Sequence, residues 1–360
     1  MHYLNELLFM NMDKIKQAYT YIRDYRYNTF LNKEAMEVLA NLEQSKGKFP
    51  QSLKDQCDNY AKNTLGDIKY APWLYVYSIM RGEFKQGWIP DNYYGRVVLP
   101  KSNGISGTAA QIKNISALLL SSNLFPDLVS YSGGIFSISA SNKILKSEEV
   151  KDFLFKDHET VIYKLNSSYQ GKGIHFFNKN EFCVDKIAKI GSGIFQKVIV
   201  QHDVFNELFP KPGATIRLTT VLTPEGKVDV RGAYLRLGIG SDEFVKSSTN
   251  IRVGINLDSG ELFNNGYTSD WFEISEHPTT KKAFKGVMIP NFKQACDDVI
   301  ALHKNYPFVQ SIGWDVIIND QGGVEIMEWN AVHNGIKFTE AIQGPMFADM
   351  PWTDKKFIAA

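Results

Sequence analysis

The chain has 360 residues, 44% of them hydrophobic and 22% charged, and its 40 basic and 39 acidic side chains leave a formal net charge of +1. That composition supports a sizeable core and excludes the broad basic field that general nucleic-acid binding requires. Cys57, Cys183 and Cys296 are far apart and odd in number, which fits neither a metal-type spacing nor a disulfide framework.

Leu7-Leu8-Phe9-Met10 is too short for a signal core, and no run of about 18 apolar residues is present to span a membrane. A reducing cytoplasm is the expected location.

Residues 1–95 read as mostly helical, with Asn32 or Ser52 as N-caps and Gly47 and Gly66 as stops. Residues 12–27 mix Lys, Arg and Tyr at helical spacing. They are expected to pack a tyrosine-rich face on the body, a docking helix being the alternative. Residues 87–100, with Trp88, Tyr93 and Tyr94, read as an irregular aromatic segment. The high aromatic content as a whole is assigned to core packing.

A helix is expected over residues 109–124 and a short strand over 136–140. Ser147 is expected to cap a helix carrying Val150, Phe153 and Leu154, with Glu148 and Glu149 favoured by the helix dipole in its first turn. Strands are predicted over 160–165, 197–200, 215–222 and 228–237, and helices over 184–190, 204–208, 292–304 and 335–342. Without regular βαβ alternation the class is α+β.

Residues 313–330 read as strand, tight turn, strand, with Asp320-Gln321-Gly322-Gly323 as the turn. Folding this hairpin between Gln321 and Gly322 sets Asp315 opposite Glu328. Asn330 then shares the face of Glu328, and Gly313 opposite it leaves open space. Carboxylates placed opposite one another are unfavourable unless neutralised. A hard divalent cation such as Mg²⁺, which commonly takes one or two carboxylates plus substrate phosphates, would neutralise them; the alternative is a solvated sheet face with ordinary surface acids.

Residues 164–174 follow a strand and combine Lys164, Ser167, Ser168, Gly171, Lys172 and Gly173. Such a loop can aim backbone N–H groups at phosphate oxygens, although it carries neither the Walker A order nor the dinucleotide fingerprint. A glycine–lysine hairpin turn is the alternative.

In chain order these features resemble the ATP-grasp superfamily, and more narrowly its sugar-transfer-associated proteins. The narrower resemblance rests on Gly87-Trp88-Ile89-Pro90-Asp91, Lys113-Asn114 followed by Leu124-Phe125-Pro126, and Gln201-His202 with Pro212. It also rests on Ala214-Thr215-Ile216-Arg217-Leu218-Thr219-Thr220, Tyr234-Leu235-Arg236-Leu237-Gly238 and Leu257-Asp258-Ser259-Gly260. It spans roughly residues 85–345.

The resemblance implies two α+β lobes clasping ATP, behind a helical N-terminal region over residues 1–95. Residues 96–155 would lead into the grasp, 156–204 would form the small lobe with its glycine-rich lid, 205–346 the large lobe with the metal site, and 347–360 a tail. It implies Lys164 on the nucleotide phosphates, Ser167, Ser168, Gly171, Lys172 and Gly173 in the lid, and Gln196, Lys197 and Ile199 in the adenine hinge. Asp203 or His202 would reach the ribose, the favoured alternative for Asp203 being a cap on residues 204–208. Arg217 and Arg236 would face the transferring phosphoryl group, unless they are exposed strand charges. Asp315, Glu328 and Asn330 would hold Mg²⁺. Gln196-Lys197 stands where the family pattern has an acid in the hinge, and residues 250–254 match only loosely a glycine-rich family segment.

The implied activity is ATP- and Mg²⁺-dependent joining of a carboxylate to an amine, in a sugar or polysaccharide setting such as capsule synthesis. The alternatives are a phosphotransferase with a hydroxyl acceptor and a nucleotide-binding module without catalysis. The implied partners are small carboxylates and amines, sugar-linked, with no nucleic acid and no membrane span; the oligomeric state is left open.

Overall fold

A computed structural model describes residues 2–166, 173–211, 213–240 and 249–359. The chain divides into two compact units, Met1–Val98 with Ile336–Ala360, and Leu99–Gly335.

The first unit is helical. Its long elements are α1 (His2–Lys46), α2 (Gln51–Asn63) and α3 (Ala71–Arg81), joined by a shorter helix at Lys337–Gln343. Gly47 ends α1 at φ +84°, and Gly66, at φ +87°, lies in the turn three residues past the end of α2; both occupy a backbone region that side chains with a Cβ avoid. The proposed caps are corrected. Asn32 lies inside α1, where its amide donates to the Lys69 carbonyl at 3.0 Å, and Ser52 is the second residue of α2, behind Pro50. Helix α1 continues through Asn32 because Leu31, Ala35, Val38, Leu39 and Leu42 form one buried stripe. Packing along that stripe outweighs a local capping preference.

The aromatic segment is helical turns rather than irregular chain: Asp91–Tyr93 followed by a π turn at Tyr94–Val98. Trp88, Tyr93 and Tyr94 are fully buried. Tyr94 stacks on Phe347 at 6.1 Å between centroids, and Tyr77 meets Trp88 at 5.8 Å. In this segment the aromatics serve the core, as expected. In residues 12–27 only Tyr27 packs, with the Arg96 guanidinium 4.1 Å from its ring centre; Tyr19, Tyr21 and Tyr25 are 68%, 72% and 63% exposed, so most of the expected tyrosine face is not packed.

Glu340 is fully buried in this unit, and its two carboxylate oxygens accept the backbone N–H groups of Ile89 at 2.8 Å and Met346 at 2.9 Å. Burial pushes its carboxyl up to about 8, against the opposing pull of those two hydrogen bonds. A carboxyl whose folded value is raised holds a proton that the unfolded chain has lost. Its contribution to stability is therefore largest at acid pH and is lost as pH rises from the ordinary carboxylate range to about 8. Urea unfolding is expected to show this fall in wild type and not in Glu340→Ala; equal slopes in both would contradict the assignment.

The second unit holds two antiparallel sheets. The smaller comprises β1 (Asp127–Ser132), β2 (Ile135–Ile138), β3 (Ile144–Leu145), β4 (Thr160–Leu165), β5 (Ile174–Asn178) and β6 (Gly193–Lys197), in the order β3-β2-β1-β6-β4-β5. The larger comprises β7 (Thr215–Leu222), β8 (Val228–Leu237), β9 (Ile251–Ile255), β10 (Leu262–Tyr267), β11 (Glu273–Ile274), β12 (Ser311–Ile318) and β13 (Val324–Asn330), in the order β11-β10-β9-β8-β7-β12-β13. Helix Phe292–Asn305 covers the large sheet with Phe292, Ala295, Val299 and Leu302, an apolar stripe at helical spacing.

Three expectations shift here. No helix runs over residues 109–124; the chain makes short helices at Gly104–Gln111, Lys113–Ile115 and Ser116–Leu119. Tertiary hydrogen bonds break it up. The Asn114 N–H donates to Asn166 Oδ1, Ser130 Oγ donates to the Asn114 carbonyl, and Trp329 Nε1 donates to Ser116 Oγ. The strand expected at 197–200 is β6, four residues earlier, where Ile194, Phe195 and Gln196 are buried. Ser147 is the first helical residue rather than the cap, and the Glu149 carboxylate accepts the Lys146 N–H at 2.8 Å.

Candidate nucleotide and metal site

The hairpin β12–β13 pairs Asp315 with Glu328 and Gly313 with Asn330, as its sequence predicts. The tip folds one residue differently. Ile318 pairs with Val324, and a bulge at Met327 restores the outer register. Without that extra residue Asp315 would face Met327.

On the other side of β12, Asp315 pairs with Arg217 of β7. The Arg217 guanidinium grips the Asp315 carboxylate through Nε at 2.6 Å and Nη2 at 3.2 Å, while Nη1 donates to the Asn334 carbonyl. Arg236 of β8 reaches the same carboxylate through Nη2 at 2.5 Å. Burial pushes the Asp315 carboxyl up, but Arg217 and Arg236 outweigh it and hold it at about 2. Neither arginine is an exposed strand charge, with side-chain exposures of 10% and 18%.

Two sequence inferences are thereby corrected. The charge of Asp315 does not await a cation, because two arginines already balance it. Nor is the space at Gly313 open: a Cβ there would lie 2.5 Å from Asn334 Cβ and 3.2 Å from Arg217 Nη1. Glycine at 313 is what lets Asn334 and Arg217 close over the strand.

Glu328 differs from Asp315. Among the described residues it has no hydrogen-bond partner, and its charge acts on Lys164 and Arg217. Asn330 donates its amide N–H to the Gly313 carbonyl at 3.5 Å, which leaves the amide oxygen available. The uncommitted carboxylate of Glu328, the Asn330 oxygen and the remaining acceptor capacity of Asp315 form an all-oxygen set suited to Mg²⁺. No group of three or more His, Cys, Asp or Glu side chains that could hold a metal gathers among the described residues, here or elsewhere; this set has two carboxylates and an amide.

Lys164, on β4 of the other sheet, is 7% exposed. Burial lowers the pKa of its ammonium, and Glu328, Asp127 and Asp315 oppose that shift. Sequence reasoning gave Asp127 no role and quoted Lys113 only as part of a motif, yet both belong here. Asp127 accepts from Gln196 Nε2 at 2.6 Å, and burial raises its carboxyl to about 6. Lys113, Gln196, Phe125, Glu328 and Trp329 line one cleft. Lys113 is set there by the broken helix, which residue-type patterning does not reveal. Lys197 Nζ contacts Glu325 Oε1 at 2.6 Å and ties β6 to β13. Four cations (Lys113, Lys164, Arg217 and Arg236) thus stand against three carboxylates (Asp127, Asp315 and Glu328).

The remaining expected residues are more dispersed. Ile199 follows β6 half-buried. Asp203 is exposed on the helix Asp203–Leu208 and accepts from Asn206. The cap of that helix is His202, whose Nδ1 accepts the Val204 N–H at 3.2 Å. Gly173, at φ +88°, closes the β4–β5 hairpin through the Leu165 N–H to its carbonyl. Ser167, Ser168, Gly171 and Lys172 lie outside the described residues, as does Pro212. Burial raises the Cys57 and Cys296 thiols to about 11 and 12, so neither is poised to react.

Residues 183–349 match the model of the sugar-transfer associated ATP-grasp family. The ATP-grasp fold expected from the sequence is borne out over that segment, which carries β7 to β13 and with them Arg217, Arg236, Asp315, Glu328 and Asn330. Lys164 and its loop precede the ATP-grasp match. No curated protein matches the sequence.

Among solved structures, the chain is similar to the biotin carboxylase domain of 2-oxoglutarate carboxylase from Hydrogenobacter thermophilus, a complex with MgADP, ADP and bicarbonate. The identity is 13%, covering 66% of this chain and 45% of that one, with a TM-score of 0.40. It is similar to the ADP complex of N5-carboxyaminoimidazole ribonucleotide synthetase at 9% identity, covering 72% and 50%, TM-score 0.38. It is also similar to the ATP-grasp ligase PsnB complexed with a minimal precursor, at 15% identity, covering 70% and 63%, TM-score 0.39. The chain spans between 45% and 63% of the length of these relatives. No helix among the described residues is long and apolar enough to cross a membrane.

Proposed function

We propose that this chain is an ATP- and Mg²⁺-dependent ligase that joins a carboxylate to an amine through an acyl phosphate, with a sugar-linked acid or amine as substrate. The observation that carries the reading is the meeting of Arg217, Arg236 and Lys164 with an uncommitted Glu328 and the Asn330 oxygen. Such a cluster suits a polyphosphate and its cation.

A carboxylate repels nucleophiles, and phosphorylation by ATP gives it a leaving group. Phosphoryl transfer depends on alignment and charge neutralisation more than on covalent help from the protein. Lys164 would neutralise the nucleotide phosphates. Arg217 and Arg236, held in place by Asp315, would stabilise the transferring group and then the oxyanion formed when the amine attacks. Glu328, Asn330 and Asp315 would hold Mg²⁺, which supplies further neutralisation when bound. Gln196, Lys197 and Ile199 would flank the base, and Asp203 or His202 the ribose. Support for ATP and Mg²⁺ comes from the family match and from relatives whose structures contain ADP and Mg.

The test is ADP release in a matrix of amino acids and amines against uronic acids and nucleotide-linked uronic acids, with the amide identified by mass. ADP release that needs a hydroxyl acceptor and yields no amide would replace the ligase by a phosphotransferase. Tight Mg-ATP binding with no turnover across the matrix would leave a binding module.

Lys164→Ala is expected to weaken ATP binding about 10–100-fold, the worth of one hydrogen bond to a charged group. Calorimetric titration with a non-hydrolysable ATP analogue measures this, and wild-type affinity would remove Lys164 from the phosphate site.

A further inference from the structure

Helix α1 presents two different faces. Toward its C-terminal end Leu31, Ala35, Val38 and Leu42 are buried within the helical unit. Toward its N-terminal end Ile15, Tyr19, Ile22 and Tyr25 are 67%, 68%, 50% and 63% exposed. At about 100° per residue, Ile15 and Ile22 lie roughly opposite Leu31, Ala35 and Leu42. The exposed stripe therefore faces away from the surface on which the helix docks.

Its spacing is a heptad. Ile15 and Ile22 are seven residues apart, and Ala18 and Tyr25 follow each by three, which places them at the a and d positions. Neither function nor core packing uses this stripe. A helix exposed over so many residues gains little from propensity alone and needs a packed partner.

We propose that α1 pairs with α1 of a second copy of this chain as a parallel two-stranded coiled coil, making the protein a dimer through its N-terminal helix. Ile15 and Ile22 at a are the β-branched residues that two-stranded seams use there, and Ala18 at d lets the two helices approach closely. The flanking g and e positions are Lys14, Tyr19, Tyr21 and Arg26. In a parallel pair Lys14 faces Tyr19 of the other copy, and Tyr21 faces Arg26. Each contact sets a cation against an aromatic ring, and each occurs twice by symmetry. The stripe is thus complementary to itself. Its flanking Lys14, Arg23, Asp24 and Arg26 suit a water-facing pair rather than the interior of a membrane.

Sedimentation of the full chain across the micromolar range tests this. Wild type is expected to be a dimer, and Ile15→Asp/Ile22→Asp to raise the dimer dissociation constant by at least about 100-fold, because each carboxylate would be buried in the seam. Thermal unfolding of the remainder of the chain is expected to be unchanged. In a Cys183→Ser background, Ile22→Cys is expected to form a disulfide-linked dimer on mild oxidation, since equivalent a residues lie within bridging distance in a parallel pair. A monomeric wild type, or a dimer untouched by the double substitution, would overturn the proposal. A dimer whose Ile22→Cys form does not crosslink would overturn the parallel seam.

Discussion

Asp315→Ala is expected to destabilise the protein by about 3–5 kcal/mol, because it strips two buried guanidiniums of their shared carboxylate. Arg217 holds that carboxylate by two hydrogen bonds, and Arg236 holds it by one. Arg217 lies on β7 beside β12 and Arg236 on β8, the next strand of the large sheet, so their loss of a partner is felt in its centre. Urea unfolding measures the effect. A loss below about 1 kcal/mol would mean the arginines are solvated like surface charges. Turnover is expected to vanish with stability, since neither arginine would keep its position.

Glu328→Gln is expected to do the reverse. Glu328 has no hydrogen-bond partner among the described residues, so its loss orphans no donor, although it removes a charge that opposes burial of the Lys164 ammonium; a loss of no more than about 1 kcal/mol is expected. ADP-forming turnover is expected to fall on the order of 10²–10³-fold, the usual cost of one electrostatic contributor at a phosphoryl or acyl transition state. The Mg²⁺ concentration needed for half-maximal rate is expected to rise with it, and Asn330→Ala should shift it in the same direction. Wild-type turnover in both variants would remove this metal site. Together the Asp315 and Glu328 variants separate two roles that the sequence presented as one pair of opposed acids.

The register of the hairpin was legible because alternation and turn chemistry are local. Asp315 opposite Glu328 follows from counting along two strands about a glycine turn, although the count succeeded through a bulge at Met327 that it did not foresee. Strands β7 and β8 and helix Phe292–Asn305 were legible for the same reason, since each carries its own period. The broken helix at residues 104–119 was not, because its hydrogen bonds go to residues distant in sequence: Asn166, Ser130 and Trp329. For the same reason Lys113 and Asp127 acquired neighbours that no local pattern indicates.

By itself the sequence determined the α+β class, the helical N-terminal region, the facing of Asp315 and Glu328 and the likeness to ATP-grasp proteins. These follow from periodicity, turn residues and motif order, which are carried by neighbours along the chain. Tertiary structure alone decided that Asp315 is an arginine anchor while Glu328 is left uncommitted, that Gly313 makes room for Asn334, and that Tyr19, Tyr21 and Tyr25 of α1 face outward. Charge compensation and burial depend on what packs across from a side chain, and that partner lies far along the chain, as Asn334 does at 117 residues from Arg217.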